Sequence, residues 1–135
     1  YDGDALDASV LQAVTLRLVA PDDWRAGATI DVLRGVLEDD GWMYRYKRDD
    51  DFGAPAIPFV ICTFWLIEAL ARTGRGDEAR ALLQRVAAQL PPLGLMSEDF
   101  DPHERRFWGN FPQAYSHVGL IRAAFAASPG WHEVV

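Results

Sequence analysis

Phe59-Val60-Ile61-Cys62-Thr63-Phe64-Trp65-Leu66-Ile67-Glu68-Ala69-Leu70 is the stretch on which the fold turns. Only Thr63 and Glu68 interrupt its apolar character, and it sits within a longer segment, Ile57 to Arg72, that reads as one helix. A helix that is apolar on every side is stable only when other elements enclose it. The rest of the chain must therefore supply neighbours all round this segment.

Four further segments read as helices. Asp4 to Leu18 is apolar nearly all round, with Leu6, Val10, Val14 and Leu18 on one face. Pro21 to Glu38 opens on Pro21-Asp22-Asp23, a good helix entry with acids in the first turn, and carries a single stripe of Trp24, Ala28, Val32, Leu33, Val36 and Leu37. Asp77 to Leu90 is amphipathic as well, with Ala79, Leu82, Leu83, Val86 and Leu90 together. Phe111 to Ala127 returns to the enclosed type through Tyr115, Val118, Leu120, Ile121 and Phe125. The order is enclosed, one-sided, enclosed, one-sided, enclosed. Such alternation predicts an all-α, two-layer helical toroid in which inner helices line the centre and outer helices pack on them. Short extended pieces are expected at Trp42 to Tyr46 and near Met96 to Phe100.

The connections alternate too. Inner helices reach their outer partners through short links, Val19 to Asp22 and Thr73 to Gly76. Outer helices return through long ones, Asp39 to Ala56 and Pro91 to Asn110, which share one rim if the helices alternate in direction. Loops beyond ~12–15 residues are uncommon unless they carry function. These two hold Trp42, Tyr44, Arg45, Tyr46, Glu98, Asp99, Asp101 and Trp108, a mixture of acids and aromatics suited to a sugar.

Composition sets the outer limits. At 135 residues and 50% hydrophobic, the chain has material for one core. A net charge of −7 repels phosphate backbones, so nucleic acid is excluded as a general partner. No apolar run reaches the ~18 residues of a membrane span. No basic-then-apolar leader opens the chain, so a cytoplasmic location is expected. Without an initiator Met, the chain is expected to be a processed product or a piece of a longer protein. The single Cys62 and the scattered His103, His117 and His132 give no metal-ligand spacing, and no metal or other cofactor is expected.

Several stretches, in order, resemble the C-terminal part of the catalytic domain of glycoside hydrolase family 15, the glucoamylase-like enzymes. They are Ala5-Leu6-Asp7-Ala8-Ser9, Tyr44-Arg45-Tyr46, the Phe59 to Leu70 stretch, Gly76-Asp77-Glu78-Ala79-Arg80, Ser97-Glu98-Asp99-Phe100-Asp101-Pro102, and Gly109-Asn110-Phe111-Pro112-Gln113-Ala114-Tyr115-Ser116-His117-Val118-Gly119-Leu120-Ile121. The resemblance implies that residues 1–135 form part of an (α/α)6 toroid, incomplete alone. It implies inverting hydrolysis of an α-linked glucoside oligosaccharide, glucoamylase- or glucodextranase-like, with a trehalase as the variant within the family. A helical binding or scaffold module is the reading from another class; its connections would be short on both edges and its period fixed.

The resemblance places the family's general base on Glu98 and leaves its general acid upstream of Tyr1. Inverting chemistry needs both: an ionised carboxylate to activate water on one sugar face and a protonated one to serve the leaving oxygen, ~6.5–9.5 Å apart. The resemblance also sets an Arg-Tyr pair, Arg45 and Tyr46, beside the sugar. Arg45 reads either as a donor to sugar hydroxyls or as an ion pair with Asp49, Asp50 or Asp51, and Tyr46 reads equally as packing. Tyr115 is a candidate for lining the pocket. Trp42 and Trp108 can stack on a sugar or simply pack. His117 reads as a satisfied core histidine, Asp101 as a turn former, Trp65 and Cys62 as core, and Trp24 as the anchor of an outer helix. The remainder of the parent domain is the expected partner, with self-association if the chain stands alone.

Overall fold

The computed structural model describes residues 5–51 and 53–130. Five helical segments and two small hairpins follow one another: a 3-10 turn Ala8–Leu11 running into α1 (Gln12–Thr15), α2 (Trp24–Leu37), β1 (Glu38–Asp39) and β2 (Trp42–Met43), α3 (Val60–Arg72), α4 (Gly76–Ala87), β3 (Asp99–Asp101) and β4 (Arg106–Trp108), and α5 (Ala114–Ala127). No described helix is long and apolar enough to cross a membrane.

α3 forms the centre. Every residue from Val60 to Leu70 is buried, and α5, α4, α1 and the turn before α1 all pack against it. Its polar interruptions are tie points. Thr63 Oγ1 accepts the Met43 N–H at 2.9 Å, and Glu68 meets Arg72 at 2.9 Å and Arg122 at 3.0 Å. The latter bridge joins α3 to α5. α4 is one-sided as its pattern predicts, burying Ala79, Leu82 and Val86.

The first helix is shorter than the expected Asp4 to Leu18, and Asp4 lies outside the described residues. Asp7 caps the opening turn by accepting the Ser9 N–H at 2.7 Å. The exit is a left-handed residue, Arg17 at φ 60°. Leu18 N–H reaches back to Ala13 O, and Arg17 N–H to Val14 O. This is the Schellman arrangement that closes helices, and it leaves Leu16 and Leu18 exposed.

α2 begins at Trp24 rather than Pro21, because Asp23 is the cap and accepts the Arg25 N–H at 2.9 Å. Starting there, the buried face is Ala26, Ile30, Leu33 and Leu37. The expected stripe is therefore rotated: Leu33 and Leu37 belong to it, whereas Val32 and Val36 face outward. Trp24 is 79% exposed among the described residues, so it is not the anchor expected of it there.

α5 also departs from expectation. It buries its small residues Ser116, Gly119, Ala123 and Ala127, while Tyr115, Val118, Ile121 and Phe125 stand exposed. Small residues let two helix backbones approach closely. A methyl group on Gly119 would come within 2.4 Å of Ile61 Cδ1 and 2.9 Å of Phe64 Cδ2.

Trp42 is core rather than rim. Its ring stacks on Phe100 at 4.1 Å and meets Phe107 edge-on at 6.4 Å, so the two hairpins share an aromatic cluster. The extended pieces are Trp42–Met43 and Asp99–Asp101, shorter than the segments expected and each paired within its own hairpin.

Two glycine substitutions test this packing. Gly119→Ala should cost about 1–3 kcal/mol through overpacking, despite the better helix propensity of alanine. Gly35→Ala, mid-helix in α2 with open space around it, should gain about 0.5–1 kcal/mol. Thermal denaturation of both variants reads the difference, and a Gly119→Ala protein as stable as its parent would contradict the close approach of α5 to α3.

Candidate active site

The two long connections meet at the N-terminal end of α3. Phe59 N–H donates to Met43 O at 3.0 Å, Val60 N–H to Glu98 O at 3.0 Å, and Phe100 N–H to Pro58 O at 3.1 Å. Phe59 also bridges to Asp99 in antiparallel fashion. These bonds put the backbone of Glu98 and the segment leading to Arg45 at the same end of one helix.

Glu98 is half-buried. Its own N–H donates to Asn110 O at 3.1 Å, and its Oε2 accepts the Asn110 N–H at 3.4 Å. Gly109 precedes Asn110 with φ +80°, a conformation that favours glycine. A methyl group there would stand 3.1 Å from Glu98 Oε2. The carboxylate thus lies across a bare backbone and is held by the Asn110 amide.

Arg45 pairs with Asp7 at 2.6 Å, not with Asp49, Asp50 or Asp51. Ala8 N–H donates to Arg45 O at 2.8 Å, fastening the loop to the chain's first turn. The guanidinium lies 5.8 Å from the centre of the Trp65 ring, and Tyr115 meets the same ring edge-on at 6.2 Å. Arg45, Trp65 and Tyr115 therefore form one cluster drawn from the first rim loop, α3 and α5. Burial on its own would raise the Asp7 carboxyl, but the Arg45 guanidinium and the Ser9 amide outweigh it and hold Asp7 below its ordinary 3.8.

Tyr46 turns away from this cluster. Its hydroxyl bonds the Asp50 carboxylate, and the Arg48 guanidinium lies 5.6 Å from its ring centre. His117 is satisfied as expected: Nε2 accepts the Met96 N–H at 3.3 Å and Nδ1 faces Gln113 O at 2.7 Å. Asp101 accepts the His103 and Glu104 amides, a turn role. Trp108 is 40% exposed with Arg106 stacked 4.2 Å from its ring centre.

Two side chains that contact Arg45 at the candidate site escaped the sequence reading. Asp7 appears there only as part of a helix opening, although a capping Asp beside a charged loop is the available signal. Trp65 reads as core, and it is buried, yet one part of its ring serves Arg45 and Tyr115. Beside this ring, a cleft of about 70 Å³ lies between α3 and α5, lined by Gln12, Trp65, Glu68, Tyr115 and Arg122. That is well below the ~300 Å³ at which ligand pockets begin.

Known proteins share this architecture. Residues 1–125 match the model of the family described as Glycosyl hydrolases family 15. A trehalase of Mycolicibacterium smegmatis is 40% identical over 91% of this chain, and one of Thermoplasma acidophilum is 38% identical over 92%. The chain spans about a fifth of the length of these relatives, 19% and 22%. A solved glycosidase variant in complex with glucose superposes with a TM-score of 0.76 at 25% identity, over 93% of this chain and 37% of its own. A match over most of its length, together with these relatives, shows that the chain belongs to glycosyl hydrolase family 15.

Proposed function

We propose that this chain is the base-bearing part of a trehalose-hydrolysing catalytic domain, with Glu98 as the base. The observation that carries the reading is the seating of Glu98: fixed at the head of α3, its carboxylate held by the Asn110 amide over Gly109, at the same end of the helix as Arg45. Trehalose replaces the glucoamylase-like substrate expected from the sequence, because the named relatives are trehalases. Membership of a hydrolase family weighs equally against a scaffold module.

In the proposed step, Glu98 takes a proton from water as that water attacks the anomeric carbon and the glycosidic C–O bond breaks. A second carboxyl, outside this chain, gives its proton to the leaving oxygen. Separating the two roles leaves room for the water between them. Arg45 donates to sugar hydroxyls with the guanidinium N–H groups that Asp7 does not engage, and Tyr115 borders the same space.

The remainder of the parent domain completes the toroid. The exposed stripe of Tyr115, Val118, Ile121 and Phe125 supports this, since contiguous apolar surface on a monomer marks a contact face. The small cleft at Trp65 gains its missing wall the same way. Residues 1–135 purified alone should associate and release no glucose from trehalose. A monomer with enzyme-like turnover would contradict an incomplete domain.

Three measurements on the full-length enzyme test the site. Glu98→Gln keeps the shape and removes the base, so kcat on trehalose should fall at least ~10²-fold; unchanged turnover would remove Glu98 from the mechanism. Glucose release should be faster from trehalose than from maltose or dextrin, and the reverse order would restore the glucoamylase-like reading. Arg45→Ala should lower kcat/KM about tenfold or more, as loss of a charged donor costs ~1.5–3 kcal/mol.

Stability separates Arg45's two roles. Both side chains of its ion pair with Asp7 are about a third exposed, 37% and 33%, so screening keeps the pair's contribution below ~1 kcal/mol. Asp7 is depressed in the folded protein, so that contribution is present above pH 3.8 and fades as pH falls below it. A large stability loss in Arg45→Ala with kcat/KM unchanged would make Arg45 purely structural.

A further inference from the structure

The second hairpin carries an aromatic ring and a carboxylate that this mechanism leaves unused. Its strands pair Asp99 with Trp108, Phe100 with Phe107 and Asp101 with Arg106. Directly opposed residues put their side chains on one face, so the hairpin has two unlike faces. Phe100 and Phe107 pack with Trp42 in the core. Asp99, Asp101, Arg106 and Trp108 share the other face.

On that face Asp101 accepts the His103 and Glu104 amides. The Arg106 guanidinium lies 4.2 Å from the Trp108 ring centre, and the ring stays 40% exposed. Asp99 accepts no hydrogen bond and meets no cation among the described residues. Burial first, then the Glu98 carboxylate, push its carboxyl up to about 6, the mark of an acceptor short of donors.

This face adjoins the proposed base. Gly109 follows Trp108, and a methyl group on it would stand 3.1 Å from both Asp99 Oδ2 and Glu98 Oε2. At the head of α3 the Cys62 thiol lies within electrostatic reach of both Asp99 and Arg45. An acceptor and a donor thus flank one point of the helix. A half-exposed ring beside an unpartnered carboxylate suits a sugar better than a protein surface. A glucose ring offers C–H bonds to the negative face of an indole and hydroxyl donors to a carboxylate. An apolar protein surface would bury that carboxylate unpaired, which is strongly unfavourable. The base activates water on the face of the attacked sugar away from the leaving oxygen, so side chains grouped with Glu98 border the attacked unit.

We propose that Trp108 and Asp99 line the subsite for the glucose unit under attack, the ring carrying the sugar's C–H face and the carboxylate accepting its hydroxyls. The inference rests on the reading of Glu98 as the base.

The test uses the full-length enzyme with trehalose and with α-glucosyl fluoride, which has no second sugar. Trp108→Leu keeps apolar bulk without the flat ring, and Asp99→Asn keeps the shape without the charge. Each should raise KM about tenfold on both substrates, with kcat within about threefold, the pattern of lost binding. Trp108→Phe should recover most of the loss. Should Trp108→Leu fail to fold, Asp99→Asn and Asp99→Ser read the same subsite. An unchanged KM in a folded Trp108→Leu or Asp99→Asn protein overturns the proposal, and a lowered melting temperature beside it gives this face to the rest of the parent domain. A rise on trehalose alone gives the ring to the other glucose unit and overturns it as well. Calorimetry on Glu98→Gln separates the two readings. Turnover retained in that variant ends the base assignment; trehalose affinity unchanged when Trp108→Leu is added to it ends the subsite.

Discussion

The first amides of α3 have no side-chain cap, because the residue before the helix is Phe59. A helix start leaves its leading N–H groups without partners inside the helix, and one left unsatisfied in a buried position costs roughly 1–3 kcal/mol. α3 is enclosed, so bulk water cannot serve. The carbonyls come instead from the two rim loops, Met43 O for Phe59 and Glu98 O for Val60. Strand-like pairing of Phe59 with Asp99 and of Phe100 with Pro58 finishes the junction. The backbone position of Glu98 is thus set by what the central helix requires. The carboxylate is carried to the rim as a consequence, and its orientation is then fixed by Asn110 and the bare Gly109.

The same economy governs the rest of α3. Thr63 and Glu68 are the only polar residues in its most apolar stretch, and each secures a neighbour: Thr63 the strand leading to Arg45, Glu68 the helix α5 through Arg122. Gly119 allows α5 to lie close enough for that bridge. Tyr115, one turn before Gly119, is thereby held against Trp65. Helix packing and the placement of the Tyr115 ring beside Trp65 are parts of one arrangement.

Patterns with a strong period were legible in the sequence. The enclosed character of α3, the one-sidedness of α4 and the meeting of the long loops all follow from hydrophobic spacing and connection length. Failures came where a local device or an absent surface decided. In α2 the Asp23 cap fixed the start and rotated the buried stripe, so Trp24 fell outside. In α5 apolar spacing could not say which face meets α3, and the small residues took that place because only they permit close approach. Trp42 paired with Phe100 and Phe107, partners distant in sequence. At the candidate site, motif resemblance singled out Glu98 and Arg45, which the structure places at the same end of α3, but Asp7 was hidden by its second role as a cap. Tyr46, singled out with Arg45 by the resemblance, bonds Asp50 within its own loop.

Glu98 as a water-activating base makes a stereochemical demand on the full-length enzyme. Attack by water on one anomeric carbon of trehalose inverts that unit to β-glucose, while the other leaves with its α configuration. Proton NMR of the products during the first turnovers, before mutarotation, reads the two anomers directly. Equal α- and β-glucose is the expected result. Release of α-glucose alone would require a covalent intermediate and a nucleophilic carboxylate, and would contradict the role assigned to Glu98.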